Sequence, residues 1–410
     1  MCQSSHRPQE SIRGWLTKNL QHKDTESPSF AAKDYQWALS FLYSYRGSKD
    51  TFGAYRRELE RFLQWSWFVK QQSFLKHKRQ DIEEFAEFCL HPPKLWIGLK
   101  NVARFKNVNG EKQANKTWKP FVVQVSKRIH KQGIVPLKDD YQCSQASMKV
   151  MFNILSSFYN FLLQEEVALM NPVALIRQKS KFIRKEASTT IVRRLSEEQW
   201  QMVIGLVEGK TQQDEKQERT LFILSCLYSM YLRISELITT SRWSPRMKDF
   251  FKDHEGNWWL RTVGKGNKAR QIAVSPSMLK ALKRYRSTYL KLPPYPLPDE
   301  NFPLIGHVNN SNKPLTSDRP LRYLVQACFD EAADQLELHG QQLDADVLRT
   351  STVHWLRHTG ISEDVKIRPR EHVRDDAGHS SSAITDRYID VELTERAKSA
   401  KKKLITKNVI

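Results

Sequence analysis

Residue types able to do chemistry concentrate in one stretch, HWLRHTGISEDVKIRPREHVRDDAGHSSSAITDRYID, from His354 to Asp390. His354, Arg357 and His358 fall within about one helical turn, and residues three or four apart on a helix share a face. An arginine presents a planar fork of donors suited to phosphate oxygens, and imidazole moves protons near neutral pH. Gly378-His379 then opens a polar segment, and Arg387 stands beside a phenol, Tyr388. The set reads as a phosphate grip followed by a nucleophile. His354 and His358 also have the spacing of a zinc helix, but Trp355 occupies the place of the general-base Glu in H-E-x-x-H, which argues against a metalloprotease. Asp375-Asp376 diverge by about 100° on a helix, so they form no paired carboxylate site and are expected to be solvated or to face a neighbouring helix.

Two upstream pieces sharpen the pattern. Leu232-Arg233-Ile234-Ser235-Glu236-Leu237 closes an apolar run that begins at Leu221, and Val263-Gly264-Lys265-Gly266-Asn267-Lys268-Ala269-Arg270 is a Gly-rich turn between strand-like segments. Arg, Gly-Lys-Gly, His-x-x-Arg, Gly-His and Tyr, in that order, resemble the tyrosine recombinases, the phage-integrase family of site-specific DNA recombinases. The resemblance covers the C-terminal half and, more loosely, a helical stretch before it. It implies a mainly α architecture with a small antiparallel β-sheet in an α+β catalytic domain. A helical core-binding (SAM-like) domain before it would complete a clamp around DNA.

Attack on a phosphodiester puts negative charge on the non-bridging oxygens, and preorganised cations stabilise it. By the resemblance, Arg233 and Arg357 hold those oxygens, and His354 is general base forward and acid in reverse. Lys265 protonates the departing 5′-oxygen, with Lys268 and Arg270 as alternatives for that role. His379 hydrogen-bonds the phosphate, Glu236 braces the site, and Tyr388 attacks to give a 3′-phosphotyrosyl link. That chemistry calls for no cofactor, metal or nucleotide, and Gly264-Lys265-Gly266 lacks the spacing of a Walker loop. The chain also departs from the family. Met230-Tyr231 replace a Thr-Gly, and a tyrosine lacks glycine's backbone freedom, so the approach to Arg233 is expected to differ. Gly360 replaces a bulky Phe and Ala377 a Leu, so packing near His354 and His379 must be filled from elsewhere.

The composition agrees. The 410 residues are 40% hydrophobic, enough for at least two cored domains, and 66 Lys+Arg against 45 Asp+Glu give a formal charge of +21. Such an excess predicts a polyanionic partner, nucleic acid before a membrane surface. The longest apolar run, Leu221 to Leu232, is too short to span a bilayer, and the polar N-terminus has no signal-peptide core. Five scattered cysteines without a C-x-x-C pair read as reduced thiols of a cytoplasm, and the resemblance implies a bacterial-type protein associated with the nucleoid.

The elements that must position these residues follow in order. Residues 1–30 read as a loose tail and 31–176 as the helical DNA-binding domain. In that domain Phe52, Tyr55, Leu59, Phe62 and Leu63 form one stripe of a helix, while Arg56, Arg57 and Arg61 lie off it as candidate DNA contacts. An excursion at about 91–137 interleaves basic and aromatic residues, as a DNA-tracking segment or a small core of its own. Ser144 is expected to cap a helix that ends near Asn171-Pro172. A basic linker, 177–194, carries Arg177, Lys179, Lys181, Arg184 and Lys185, placed to lie along the phosphate backbone. The catalytic domain, 195–392, starts with a Ser196/Gln199 capping box. Helices are expected over 196–207, 219–237, 277–291, 320–336 and 350–358, and strands over 247–251, 258–263 and 271–274. The tail, 393–410, ends in exposed apolar residues.

Three functions remain open at this point. One is a recombinase or integrase of a mobile element, acting as a homotetramer on two double-stranded DNA sites with accessory proteins. The others are a type IB topoisomerase-like relaxing enzyme and an inert DNA-binding accessory factor.

Overall fold

The computed structural model describes residues 28–125, 133–174, 176, 182, 193–264, 266–386 and 400. The chain forms two compact units, Met1–Ala187 and Ser188–Ile410.

Among the described residues the first unit packs four helices, α1 (Ala31–Tyr43), α2 (Lys49–Phe68), α3 (Arg79–Leu90) and α4 (Gln145–Gln164). The α2 stripe behaves as its spacing predicts: Leu59, Phe62 and Leu63 are buried. Ser144 caps α4 by accepting from the Ser147 amide at 3.1 Å, and Met148, Met151, Phe152, Leu155, Phe158 and Leu162 enter the core. The helix stops at Gln164, short of the expected proline. Glu166 takes a left-handed conformation (φ 56°), and the Val167 amide folds back on the Leu162 carbonyl at 2.8 Å. Between α3 and α4, β1 (Ile97–Gly98) pairs in parallel with β4 (Phe121–Val122), enclosing an antiparallel hairpin, β2 (Phe105–Val108) and β3 (Glu111–Ala114).

The second unit opens with the expected capping box: Ser196 Oγ accepts from the Gln199 amide at 3.1 Å and Gln199 Oε1 from the Ser196 amide at 2.9 Å. Helix α5 (Glu197–Thr211) follows, then α6 (Lys216–Ser229). The predicted continuation of α6 to residue 237 is not made. Tyr231 turns left-handed (φ 50°), and the chain runs extended through Arg233 into a single 3₁₀ turn, Ile234–Glu236.

The sheet comprises β5 (Phe250–Lys252), β6 (Trp258–Val263) and β7 (Ala269–Ala273), all antiparallel in that order. Its first strand starts later than expected because Met247–Asp249 form a 3₁₀ turn. Helix α7 (Pro276–Arg284) passes into a π-turn, Tyr285–Leu290, and a short pair, β8 (Gly306–His307) with β9 (Asn310–Pro314), follows. Helices α8 (Arg319–Leu338), α9 (Gln342–Thr350), α10 (Val353–Ile367), α11 (Arg370–Ala377) and α12 (Ser382–Asp386) follow. Of these, α9, α11 and α12 have too short or too polar a pattern to be read from periodicity.

The fold is mainly α with a small antiparallel sheet. Among the described residues no helix is long and apolar enough to cross a membrane.

Candidate active site

The site is built where the extended segment after α6, the β6–β7 turn, α10 and the end of α11 converge. Arg233 is the N-cap of the 3₁₀ turn, so its own amide donates to Glu236 Oε2 (2.9 Å) while its Nη1 reaches Glu236 Oε1 (3.1 Å). Arg270, on β7, grips the same carboxylate bidentately, Nη1 to Oε1 at 2.9 Å and Nη2 to Oε2 at 2.7 Å. Its Nε donates to the Asp376 carbonyl at 2.9 Å. Burial alone would raise the Glu236 carboxyl, but Arg270 and then Arg233 outweigh it and hold the group below its ordinary range. Gly264 lies directly on this cluster: a Cβ there would stand 2.8 Å from Arg270 Nη1 and 2.9 Å from Glu236 Oε1. The turn that follows Gly264 therefore leaves from beside the Arg233–Glu236 pair.

Arg357 is buried, its Nη1 donating to the Tyr231 carbonyl and its Nη2 to the Ala377 carbonyl at 2.6 Å. The left-handed turn at Tyr231 aims that carbonyl. Tyr231 nevertheless adopts the left-handed conformation that glycine takes freely. A left-handed non-glycine residue costs about 1–2 kcal/mol, offset here by burial of the ring and by bonds to its hydroxyl. That hydroxyl donates to Asp364 Oδ2 and accepts from Arg368 Nη1 at 3.1 Å. Arg368 Nη2 in turn holds Asp376 Oδ2 at 2.6 Å, and Asp376 Oδ1 accepts the Ala273 amide at 3.3 Å. Asp376 is thus buried and ion-paired, while Asp375 stays exposed beside Arg374.

The departures at 231, 360 and 377 meet in one place. The Tyr231 ring packs with Ile361, Val373 and Ala377. A Cβ on Gly360 would stand 1.9 Å from the Tyr228 carbonyl and 3.3 Å from Tyr231 Cδ1. The Tyr231 ring fills the space beside Ala377, while at 360 the α6 backbone itself comes close and the ring lies next to it.

His354 is exposed at the mouth of a recess of about 560 Å³ lined also by Arg193, Thr350, Thr352, Trp355 and His358. Its ring meets that of His358 edge-on, centroids 4.3 Å apart. Desolvation, then Arg357 and Arg233, push the His354 pKa down. His379 is pushed down to about 4 by desolvation, then Arg357, Arg233 and Arg270. His358 also falls to about 4, by desolvation, then His354, Arg357 and His379. Gly378 ends α11 left-handed (φ 65°), with Arg270 Cδ only 2.8 Å from where a Cβ would be, and this turn delivers His379 to the cluster. His379 Nδ1 lies 2.9 Å from Oγ1 of the buried Thr385, on α12.

Arg233, Glu236, His354, Arg357 and His379 are therefore brought together. Lys265 and Tyr388 lie outside the described residues, as do Arg177, Lys179, Lys181, Arg184 and Lys185. Lys268 is exposed on the turn, whereas Arg270 is committed to Glu236 and the Asp376 carbonyl. In the first unit, Arg56 is exposed beside Phe52, and Arg57 pairs with Glu58 at 2.9 Å. Arg61 bonds Glu58 (3.0 Å) and the Pro120 carbonyl (2.8 Å). Sequence reading missed Tyr231, Arg368, Asp376 and Thr385 as site-forming residues; only the displaced Thr-Gly signalled the first. No group of three metal-ligating side chains occurs among the described residues.

No family model matches the chain. It is similar to the tyrosine recombinase XerC of Staphylococcus carnosus (strain TM300), 25% identical over 242 residues, 58% of this chain and 68% of the relative. It is 30% identical to the tyrosine recombinase XerD of Chlorobaculum tepidum over 131 residues, 32% of this chain and 38% of that one. Among solved structures, the XerH site-specific recombinase bound to a palindromic difH substrate has a TM-score of 0.54 at 14% identity, covering 98% of this chain and 91% of that one. The Tn1549 transposon integrase with circular intermediate DNA has a TM-score of 0.52 at 14% identity, covering 90% and 98%.

Proposed function

We infer that this chain, which belongs to the tyrosine recombinase and integrase family, cuts and rejoins DNA at specific sites for a mobile element through a 3′-phosphotyrosyl intermediate. The observation that carries this reading is that one turn at Arg233–Glu236, helix α10 with His354 and Arg357, and the end of α11 with His379 bring their cations and imidazoles together. Arg357, its plane fixed by two carbonyls, and Arg233, held by Glu236, supply positive charge toward a phosphate's non-bridging oxygens. Desolvation, and after it these cations, push the pKa values of His354 and His379 down and favour the neutral imidazoles. A neutral His354 can take the phenol proton of Tyr388 and return it on resealing. His379, turned by Thr385, would donate to the phosphate. Lys265, next to Gly264, would protonate the 5′-oxygen as the Tyr388 phenolate oxygen bonds phosphorus and the 5′-oxygen leaves. The chain's own cations carry the charge, so the reading calls for no cofactor.

Double-stranded recombination sites are the partner. A homotetramer on two sites, accessory proteins, and backbone contacts by Arg56, Arg57 and the basic residues from Arg177 to Lys185 complete the proposal. The test is covalent trapping: wild type and Tyr388→Phe are incubated with DNA flanking the gene, denatured, and the attached DNA sequenced. A discrete 3′ attachment lost in Tyr388→Phe is expected. Scattered attachment would indicate a relaxing enzyme, and intact binding with no adduct an accessory factor.

A further inference from the structure

Residues 99–120 leave the first unit through a neck and return to it. The neck is the parallel β1–β4 pair, closed by the Val123 amide on the Gly98 carbonyl at 3.0 Å. Its root is fixed from α2: Arg61 Nε holds the Pro120 carbonyl (2.8 Å) and lies over Phe121. Arg104 pairs with Glu60 (2.6 Å) and stacks on Trp118. Asn115, buried, donates its amide to the Arg104 carbonyl (2.8 Å) and its side chain to the Ala103 carbonyl (2.7 Å).

Beyond this root nothing is buried. From Lys106 to Gln113 every residue is exposed, on both faces of the ribbon. The tip is Asn109-Gly110, both at positive φ (52° and 85°), the two-residue hairpin turn whose twist suits the strands. Asn107, its amide oriented to donate, reaches across to the Glu111 carbonyl at 3.1 Å and belongs to the turn.

A two-stranded ribbon with no apolar face gains little from burial and is marginal by itself; a partner covering both faces would account for it. Lys100, Lys106, Lys112, Lys116 and Lys119 stand against one acid, Glu111, in residues 99–120 apart from the paired Arg104. Lys106 faces Gln113 across the strands, and Lys112 faces Asn107. A two-stranded ribbon fits the major groove of B-DNA, where Lys pairs with guanine edges and Gln with adenine. We propose that the β2–β3 hairpin is a DNA-reading ribbon that enters the major groove beside the recombination site, with Lys106, Lys112 and Gln113 as its contacts. This rests on the recombinase reading.

The experiment uses the full chain with Lys106→Gln and Lys112→Gln together, and separately Gln113→Ala. All three positions are exposed, so folding is expected to persist, checked by thermal melting. With random-sequence duplexes as probe, the double variant is expected to lower the salt slope of binding by about 1–2, close to 0.9 per lost phosphate contact, and to weaken affinity about ten-fold or more. On the DNA that wild type traps covalently, the double variant is expected to lose protection of guanine N7, a major-groove atom, over a short tract, and Gln113→Ala to keep that protection while losing preference for an A·T pair beside it. Unchanged salt slope and unchanged N7 protection would overturn the proposal, as would loss of slope without loss of N7 protection. If wild type traps no DNA, the recombinase reading fails, and N7 protection on the random duplexes still decides whether the ribbon enters a groove.

Discussion

Tyr231 shows how a residue can move a site's packing without moving its chemistry. Its carbonyl takes Arg357, its ring packs on Ile361, Val373 and Ala377, and its hydroxyl joins Asp364 to Arg368. Tyr231→Phe keeps ring and carbonyl and removes only the hydroxyl, which should cost about 1–3 kcal/mol, a hydrogen bond to a charged group. If Tyr231 positions Arg357, the cleavage rate on trapped-site DNA should fall with DNA affinity nearly unchanged; equal loss of both would assign it a structural role alone. The histidines give a second residue-scale expectation. His358 and His379 have pKa values near 4 in the folded chain, below the ordinary 6.5. Between those values the unfolded chain binds more protons, so their contribution to stability is full above about pH 6.5 and is lost as pH falls toward 4. Ring-carbon NMR of the DNA-free protein should show both neutral from pH 8 to 5. Titration near 6.5 would mean that neither desolvation nor the neighbouring charges act on them. Arg233, Glu236, His354, Arg357 and His379 could be picked out in the sequence because their order as a set resembles a known family. Arg368 and Asp376 could not, since a buried ion pair and a solvated one look alike in sequence.

At the scale of elements, legibility followed periodicity and caps. Ser144 and Ser196 mark starts because a side-chain oxygen must satisfy an early helical amide. Two ends were misread where a non-glycine residue turned left-handed, at Glu166 and at Tyr231, since glycine is the residue that announces that conformation. The approach of α10 to α6 is another feature no local pattern carries. At Gly360 the two backbones are so close that a methyl group would overlap the Tyr228 carbonyl. Gly360→Ala should therefore push α10 away and destabilise the second unit by about 3 kcal/mol or more, the upper range for overpacking. For a unit of this size that is a fall in melting temperature of about 6–12 °C. A change under about 2 °C would mean the helices separate freely and that Gly360 does not set the height of His354 and Arg357.

At the scale of the molecule, charge and assembly must be separated before the C-terminal segment can be assigned a role. Residues 391–399 and 401–410 lie outside the described set, and the sequence after Glu395 holds six cations, no acids, and the apolar residues Leu404, Ile405, Val409 and Ile410. Deleting it lowers the formal charge from +21 to +15, since 21 − 6 = 15. That alone weakens DNA binding in a salt-dependent way, whatever the tail touches. Changing Leu404, Ile405, Val409 and Ile410 together to Ser keeps every charge and removes only the surface a neighbouring subunit would bury. If the tail docks in a tetramer, the deletion and the serine variant should both cut strands in trapping assays yet fail to hold two DNA sites together in native gels. Only the deletion should change the salt slope. Normal pairing of two sites by the serine variant would remove the docking idea and leave the tail as a phosphate contact.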